Sequence, residues 1–398
     1  MVLDGRPTAE ELRSRTRRFQ GHLREQGLGG AVLVQNVDRY YFSGTMQMGH
    51  VVVPADGDPL ILIRRDPRRA AAESPLAVEP LESVRDVAAR VRDRLGDIPS
   101  PLGLERDVLP AAQLDRLQSL FPGVPFGDAS RALLLTRAIK SPAEIEAVRR
   151  AGRLVAEAVA EVPRFLREGV TELELSALIE FELRRRGHGG LIRTRGFNQE
   201  MFYGHVFAGA TAAAVSFLDA PTGGAGLGPA LPYGPSPRPI GRGEPVSVDL
   251  VGNVQGYLAD QTRVFALGRV EEVFAEAFEA ALAVHEAVLA EARPGVPASR
   301  LYDVALQAAA ETPFAAHFLG ERHKVGFVGH GIGLEVDEYP FLARGFDLPL
   351  AEGMVFALEP KFIFEGRGVV GVEDTFAITA EGVERLTTSP QELMVVEE

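Results

Sequence analysis

Cysteine is absent from all 398 residues of the sequence. Disulfide bonds and thiolate metal ligands are therefore excluded, and redox chemistry at sulfur is confined to six methionines. Long apolar runs are absent too, since none approaches the roughly 20 residues of a membrane-spanning helix. The charged N-terminal stretch is followed by no apolar segment of the kind found in a secretory signal. We expect a cytoplasmic protein with no membrane partner.

Basic residues are also fewer than acidic residues. The chain has 42 Lys and Arg residues against 55 Asp and Glu residues, which gives a formal net charge of −13. Because attraction to phosphate needs a basic face, we expect no nucleic-acid partner. The hydrophobic content of 46% and the chain length predict two globular domains.

The first predicted domain covers residues 1–132. Its helical and strand-like segments alternate, which is typical of a compact α/β unit. No cluster of potentially catalytic residues stands out in it. The predicted helices span 8–26, 83–95 and 110–120, and the predicted strands span 31–35, 50–54 and 60–63.

The second predicted domain covers residues 133–398 and opens with a sharp helix signal. Ser141, Pro142 and Glu144 form a capping-box pattern with proline at the first helical position, and Thr171 and Glu174 repeat the box. The helices that these boxes begin are predicted to extend to about Leu166 and Arg186. Further helices are predicted over 271–292 and 299–311.

The stretch 245–265, PVSVDLVGNVQGYLADQTRVF, predicts an antiparallel hairpin with a longer loop. If that loop is symmetric, Asp249 and Asp260 face each other across the two strands. Opposed like charges destabilise a sheet unless a cation or a proton lies between them. The alternatives at this point are a solvated strand face and a cation site.

Three further candidate ligands favour the cation site. His330 lies in GHGIGLE between two glycines, where the backbone can approach another group closely, while Glu359 ends a strand-like run and Glu373 lies within another. Two Asp, two Glu and one His form an oxygen-rich set suited to Mn²⁺, Co²⁺ or Zn²⁺. Four carboxylates balance the charge of two divalent ions, so the set predicts two ions per chain.

In its order of motifs, D-x10-D, GHGIGL, LEP and ED, the chain resembles the pita-bread metallopeptidases. These include prolidases, aminopeptidase P and methionine aminopeptidases, with creatinase as a metal-free relative. The resemblance implies a mixed α/β fold, in which a creatinase-like N-terminal α/β domain precedes a pita-bread domain whose antiparallel sheet is covered by helices. It also implies a homodimer. The residues that match the family's metal ligands are Asp249, Asp260, His330, Glu359 and Glu373.

The same resemblance implies a prolidase that hydrolyses Xaa-Pro dipeptides. A hydroxide would bridge its two ions, for which Mn²⁺ is expected and Co²⁺ or Zn²⁺ are the alternatives. Glu359 would carry the proton from that water to the leaving nitrogen. Arg344, in FLARG, stands near the place where prolidases hold the carboxylate of the substrate proline, and it is equally well interpreted as a surface arginine.

Three positions depart from the family pattern. Tyr233, in LPYG, and Asp337, in DEYP, stand where the family has histidines, and Gly371 stands where it often has an arginine. A tyrosine can still donate a hydrogen bond, so Tyr233 is a candidate catalytic residue. An ionised Asp337 cannot donate, and we predict that it binds the free amine of the substrate.

Three other functions stay open for this chain. Activity on longer Xaa-Pro peptides would make it an aminopeptidase P. The Asp337 replacement is also compatible with a different reaction on this fold, such as cleavage of dimethylsulfoniopropionate. A non-catalytic binding protein is the third alternative, although proteins of that kind generally lose the metal ligands that this chain keeps.

Overall fold

A computed structural model describes residues 5–218 and 220–397 of the chain. The chain divides into two compact units, the first ending at Arg137 and the second beginning at Ala138. Each unit has its own sheets and its own apolar core. None of the described helices combines the length and the apolar character that crossing a bilayer requires.

The first unit is built on a mixed six-stranded sheet with the strand order β4-β3-β2-β1-β5-β6. Strands β1, β2 and β3 pair antiparallel, and the remaining pairs are parallel. This is the α/β architecture expected from the alternating sequence pattern. The strands are β1 (Gly30–Leu33), β2 (Gly49–Pro54), β3 (Leu60–Ile63), β4 (Val78–Pro80), β5 (Leu102–Leu104) and β6 (Phe126–Asp128). The helices are α1 (Ala9–Glu25), α2 (Asn36–Ser43), α3 (Pro67–Glu73), α4 (Val87–Leu95), α5 (Ala111–Leu120) and α6 (Ser130–Ala138), of which the last ends one residue beyond the division.

The second unit carries two larger sheets and a separate two-stranded hairpin. One sheet has the order β17-β9-β8-β7, the other has the order β11-β10-β12-β15-β16, and β13 pairs with β14. All of these pairs are antiparallel except β17 with β9. The strands are β7 (Gly204–Ala208), β8 (Pro245–Val254), β9 (Tyr257–Leu267), β10 (Phe327–Ile332), β11 (Val336–Ala343), β12 (Val355–Leu358), β13 (Lys361–Phe364), β14 (Gly368–Gly371), β15 (Asp374–Ile378), β16 (Val383–Arg385) and β17 (Met394–Val396).

Helices cover these sheets and bury the apolar core of the unit. Both predicted capping boxes are present, so the sequence signals at Ser141 and Thr171 are confirmed. Helix α7 packs closely on β8, where a Cβ atom on Gly252 would come 2.4 Å from the carbonyl oxygen of Ala151. Only glycine permits that approach. The helices are α7 (Pro142–Val159), α8 (Val162–Phe165), α9 (Glu172–Arg185), α10 (Glu272–Glu291) and α11 (Ala298–Ala310).

The central hairpin of the unit corrects one detail of the sequence analysis. Its loop is a two-residue turn, Gln255-Gly256, in which both residues have positive φ angles of 57° and 88°. This turn type matches the twist of the flanking strands. It pairs Asp249 with Thr262 and Asp260 with Val251, so the expectation that Asp249 and Asp260 face each other is wrong. Because the offset is two residues, both aspartates still lie on the same face.

A fully buried arginine joins the two larger sheets. Arg263, on β9, donates hydrogen bonds from its guanidinium to Oδ1 of Asp374 at 2.7 Å and to the carbonyl oxygen of Glu373 at 2.9 Å. Thr262 and Glu373 also exchange backbone hydrogen bonds of 3.3 Å. These contacts fix the backbone of Glu373 beside β9, and thus beside both aspartates.

We predict that Asp374→Ala lowers the free energy of unfolding of this unit by about 3–5 kcal/mol, because it leaves the guanidinium of Arg263 buried without its carboxylate partner. Glu271→Ala is the matched control, since it breaks an ion pair with Arg367 in which both side chains are about half exposed. That change should cost less than about 1 kcal/mol. Denaturant unfolding measures both values, and equal small losses would contradict the structural role of Arg263.

Candidate metal centre

The structure brings the five residues that match the family ligands to one cavity of about 110 Å³. Four of them are buried side chains, and Asp249 is nearly so. They come from both larger sheets, so the cavity lies where the sheets meet. These residues are Asp249 on β8, Asp260 on β9, His330 on β10, Glu359 directly after β12, and Glu373 between β14 and β15.

Two glycines let the backbone around His330 pack closely, as the sequence pattern predicted. A Cβ atom on Gly329 would come 2.2 Å from the carbonyl oxygen of Ala357, and one on Gly331 would come 2.4 Å from the carbonyl carbon of Tyr339. Both distances are far shorter than any real Cβ contact. Any larger residue at these positions would push β10 away from its neighbouring strands and move His330 out of the cavity.

The imidazole of His330 is oriented as metal-binding histidines usually are. Its Nδ1 lies 3.2 Å from the carbonyl oxygen of Gly331, so Nδ1 carries the proton and donates it there. In the neutral imidazole, Nε2 then has a free lone pair, and it lies 3.9 Å from Oε1 of Glu359 and 3.9 Å from Oε1 of Glu373. Two ligand atoms that each lie about 2.0–2.2 Å from one ion are separated by a distance of this size or less.

The carboxylates are crowded beyond what they could tolerate if all were ionised and uncompensated. Burial, followed by the charges of Glu373 and Asp249, raises the pKa of Asp260 well above its usual range. Burial is also the largest cause that raises the pKa of Glu373 to about 7. Oδ1 of Asp260 is buried and has no hydrogen-bond partner among the described residues. An acceptor of this kind is suited to a cation.

A lysine that the sequence analysis missed contacts three of the carboxylates. Nζ of Lys361 lies 3.0 Å from Oδ2 of Asp249, 2.9 Å from Oε2 of Glu359 and 3.1 Å from Oε2 of Glu373. Burial alone would lower the pKa of Lys361, but these carboxylates raise it well above its ordinary value. Lys361 is therefore a fixed positive charge inside the site. The sequence signal that could have identified Lys361 as a site residue is its position two residues after Glu359.

His205, on β7, is the second site residue that sequence reasoning did not find. It pairs with Asp249 in the β7–β8 register and lines the same cavity. Burial lowers its pKa, so the imidazole is neutral, and its Nδ1 is buried without a partner among the described residues. No local motif marks it, because its place in the site depends on strand pairing across about 40 residues of chain.

Asp337 and Arg344 line an adjoining cavity of about 430 Å³, and His330 and Asp337 line both cavities. Asp337 is the extra residue of a β-bulge, since Gly331 pairs with Glu338 and Ile332 with Val336. Its φ angle is 65°, and Oδ1 lies 3.5 Å from Nδ1 of His330. The bulge turns this side chain toward the cavities instead of leaving it in the strand alternation.

Tyr233 is buried in an aromatic group outside the lining of the two cavities. Its ring centroid lies 5.1 Å from that of Phe202, 5.3 Å from that of Phe217 and 6.4 Å from that of His205. Burial raises the pKa of its phenol, and Glu200 raises it further. Its catalytic role stays a prediction, and His205 lies closer to the carboxylates.

The donor set fits a divalent ion. Asp260, His330 and Glu373 each offer one ligand atom, and these atoms lie within 4.8 Å of one another. Carboxylate and imidazole donors suit Mn²⁺, Co²⁺ and Zn²⁺. Two observations favour a bound ion most directly: Oδ1 of Asp260 has no partner among the described residues, and Nε2 of His330 faces the oxygens of Glu359 and Glu373.

Comparison with known proteins agrees with this geometry. Residues 146–380 match metallopeptidase family M24, and residues 15–139 match the creatinase/prolidase N-terminal domain. The Xaa-Pro dipeptidase from Bacillus anthracis superposes with a TM-score of 0.82 at 25% identity, covering 96% of this chain and 99% of that one. The predicted fold is thereby confirmed.

Similar sequences carry related names. The probable dipeptidase PepE of Mycobacterium tuberculosis is 30% identical over 383 residues, which cover 94% of this chain and 93% of that protein. The Xaa-Pro dipeptidase of Pyrococcus furiosus is 25% identical over 96% of this chain and 100% of its own length. The expected family is confirmed: the chain belongs to metallopeptidase family M24, with a creatinase/prolidase N-terminal domain.

Proposed function

We propose that this protein is a metal-dependent dipeptidase that hydrolyses Xaa-Pro dipeptides in the cavity lined by His330 and the four carboxylates. The family membership supports a metallopeptidase. Relatives that match this chain over more than nine-tenths of its length are named dipeptidases or Xaa-Pro dipeptidases. Neither finding tests the two ions and the bridging hydroxide that the family resemblance implies.

The observation that carries the proposal is the pair of opposite charges beside the carboxylate cluster. Asp337 and Arg344 line the adjoining cavity, and Asp337 also lines the cavity of His330. A free dipeptide carries an ammonium at one end and a carboxylate at the other. A site with one anion and one cation next to a metal centre therefore suits a short zwitterionic peptide better than an internal segment of a longer chain.

When bound, a divalent ion would lower the pKa of a water molecule and polarise the scissile carbonyl. Asp260, His330, Glu359 and Glu373 would hold that ion. Oε2 of Glu359 accepts a hydrogen bond from Lys361, which fixes the carboxylate plane and leaves Oε1 turned toward His330. Glu359 stays the residue that we expect to accept a proton and pass it to the leaving nitrogen.

His205 and Asp337 would act on the substrate from the cavity walls. The neutral imidazole of His205 can donate one hydrogen bond, and its buried Nδ1 has no competing partner among the described residues. A donor placed there could stabilise charge that develops on the carbonyl oxygen. Asp337, whose Oδ1 lies 3.5 Å from Nδ1 of His330, would pair with a substrate ammonium.

The first test of the proposal is selectivity between substrates. Xaa-Pro dipeptides should be hydrolysed with a far higher kcat/KM than Xaa-Pro-Yaa tripeptides, because a tripeptide whose scissile bond is held in the same place would carry its carboxylate one residue further from Arg344. Arg344→Ala should raise KM for the dipeptide about ten-fold or more. Arg322→Ala, at an exposed arginine paired with Glu365, is the control and should change nothing.

Equal kcat/KM values for dipeptides and tripeptides would instead support an aminopeptidase P. Hydrolysis of neither, together with cleavage of dimethylsulfoniopropionate, would support the lyase alternative. An unchanged KM in Arg344→Ala would remove this arginine as the carboxylate partner.

A second prediction concerns Asp337. Asp337→Asn removes the charge that would pair with the substrate ammonium, so it should weaken binding of free-amine dipeptides by about ten-fold or more. The weak affinity for an N-acetylated analogue should not change, and inhibition constants for the two ligands measure the difference. If Asp337→His instead raises kcat at an unchanged KM, Asp337 stands in the place of a histidine that donates a hydrogen bond to the oxyanion, and it does not bind the amine.

A third prediction concerns metal binding itself. Mn²⁺ should raise the melting temperature of the chelated protein, because an ion that binds only the folded state stabilises it by about 2.7 kcal/mol at 100 times its dissociation constant. His330→Ala should abolish most of the rise. The control His317→Ala, at a partly exposed histidine outside the site, should keep it. A wild-type protein that does not respond to saturating Mn²⁺, Co²⁺ or Zn²⁺ would refute metal dependence.

A further inference from the structure

Lys361 changes what the carboxylate cluster can hold. We infer that its ammonium group takes the place of one of the two metal ions expected for this ligand set, so that the chain binds a single divalent ion beside His330. The inference rests on the proposed function in that it assumes a metal-dependent site. It names the contents of that site, one ion and one internal cation, and assigns a role to a residue that the family resemblance did not include.

The oxygens of the two glutamates divide between two sides of the cluster. Oε1 of Glu359 and Oε1 of Glu373 both face Nε2 of His330, at 3.9 Å each. Oε2 of each residue contacts Nζ of Lys361, at 2.9 and 3.1 Å. The two carboxylates therefore bridge two cation positions, as bridging ligands do in a two-metal site, but an ammonium fills one of the positions.

A second ion could not bind beside this ammonium. Oδ2 of Asp249, Oε2 of Glu359 and Oε2 of Glu373 converge on Nζ of Lys361. An ion that used the same oxygens at about 2.0–2.2 Å would have to occupy nearly the same point. The two cations exclude each other by volume as well as by charge.

The backbone and its surroundings hold Lys361 in this position. Its side chain is 2% exposed, and its carbonyl oxygen accepts a hydrogen bond of 3.0 Å from the amide of Leu319. Lys361 pairs with Gly371 across β13 and β14, and a Cβ atom on Gly371 would come 2.7 Å from Cγ of Lys361. Glycine at position 371 thus provides the room through which the lysine side chain reaches the carboxylates.

The net charge of the site is compatible with one ion and one ammonium, but it does not distinguish this arrangement from one with two ions. One divalent ion and one ammonium leave a single negative charge on the four carboxylates, whereas two ions and the ammonium would leave a single positive charge. The two totals differ only in sign, so the position of Nζ carries the argument. The other side of the cluster keeps its free acceptors, because Oδ1 of Asp260 lacks a partner among the described residues and Nε2 of His330 has a free lone pair.

Lys361 is accordingly a positioning residue. It holds Asp249, Glu359 and Glu373 in place from one side while the ion would hold Asp260, His330 and the same two glutamates from the other. Half of the charge that a second divalent ion would supply is built into the chain and cannot be removed by a chelator.

The test is the metal content of the full-length protein, stripped with a chelator and then saturated with Mn²⁺. Elemental analysis should give one ion per wild-type chain, and electron paramagnetic resonance should show the hyperfine pattern of an isolated Mn²⁺. Lys361→Ala opens the second position and should bind two ions with the spectrum of an exchange-coupled pair. Lys361→Met removes the charge but keeps the volume, so it should still bind one ion.

Lys140→Ala is the matched control, because Lys140 is also a buried lysine paired with a glutamate, Glu338 at 3.1 Å, outside the cluster. It should bind one ion, as the wild type does.

Two coupled ions in the wild type, or none, would overturn the inference. The number of ions in the wild type decides this even if Lys361→Ala fails to fold. One bound ion without dipeptide hydrolysis would refute the proposed function and leave the inference intact. Dipeptide hydrolysis by a protein with two bound ions would refute the inference and leave the proposed function intact.

Discussion

Four carboxylates in one buried cavity are the constraint on which the second unit of this protein depends. Burial and the neighbouring carboxylates raise the pKa values of Asp260 and Glu373, so these two groups resist ionisation. Two basic side chains, on different sides of the cluster, compensate the negative charge of the carboxylates. Lys361 contacts the cluster itself, and Arg263 holds the backbone of Glu373 by donating to its carbonyl oxygen and to the carboxylate of Asp374. The remaining side, at His330, is where the chemistry of a divalent ion would enter.

Much of this could be predicted from the sequence, because the relevant signals are local. The capping boxes at Ser141 and Thr171 mark helix starts through contacts within four residues. The glycines around His330 indicate a close backbone approach, which the structure contains. The order of the five candidate ligands along the chain indicates the family, and the family and the fold are confirmed.

The features that sequence reasoning missed depend on pairing between distant segments. The observed register of the hairpin differs from the predicted one because its loop is a two-residue turn at Gln255 and Gly256. The sequence of an apolar hairpin does not show where its strands end and its loop begins. His205 enters the site only through its pairing with Asp249. Lys361 follows Glu359 by two residues, but whether a lysine in an apolar strand points to solvent or to a carboxylate is decided by β14, where Gly371 leaves room for it. The bulge that exposes Asp337 is likewise a property of the β10–β11 pair.

In the arrangement that we infer, one cation of this family M24 site is part of the chain. The measurement that tests this most directly is a crystal structure of the Mn²⁺-saturated protein with an anomalous difference map at the manganese edge. The account predicts one anomalous peak per chain, beside Nε2 of His330, with Nζ of Lys361 still in contact with Asp249, Glu359 and Glu373. Two peaks within the carboxylate cluster, with the Lys361 side chain displaced from it, would contradict the account.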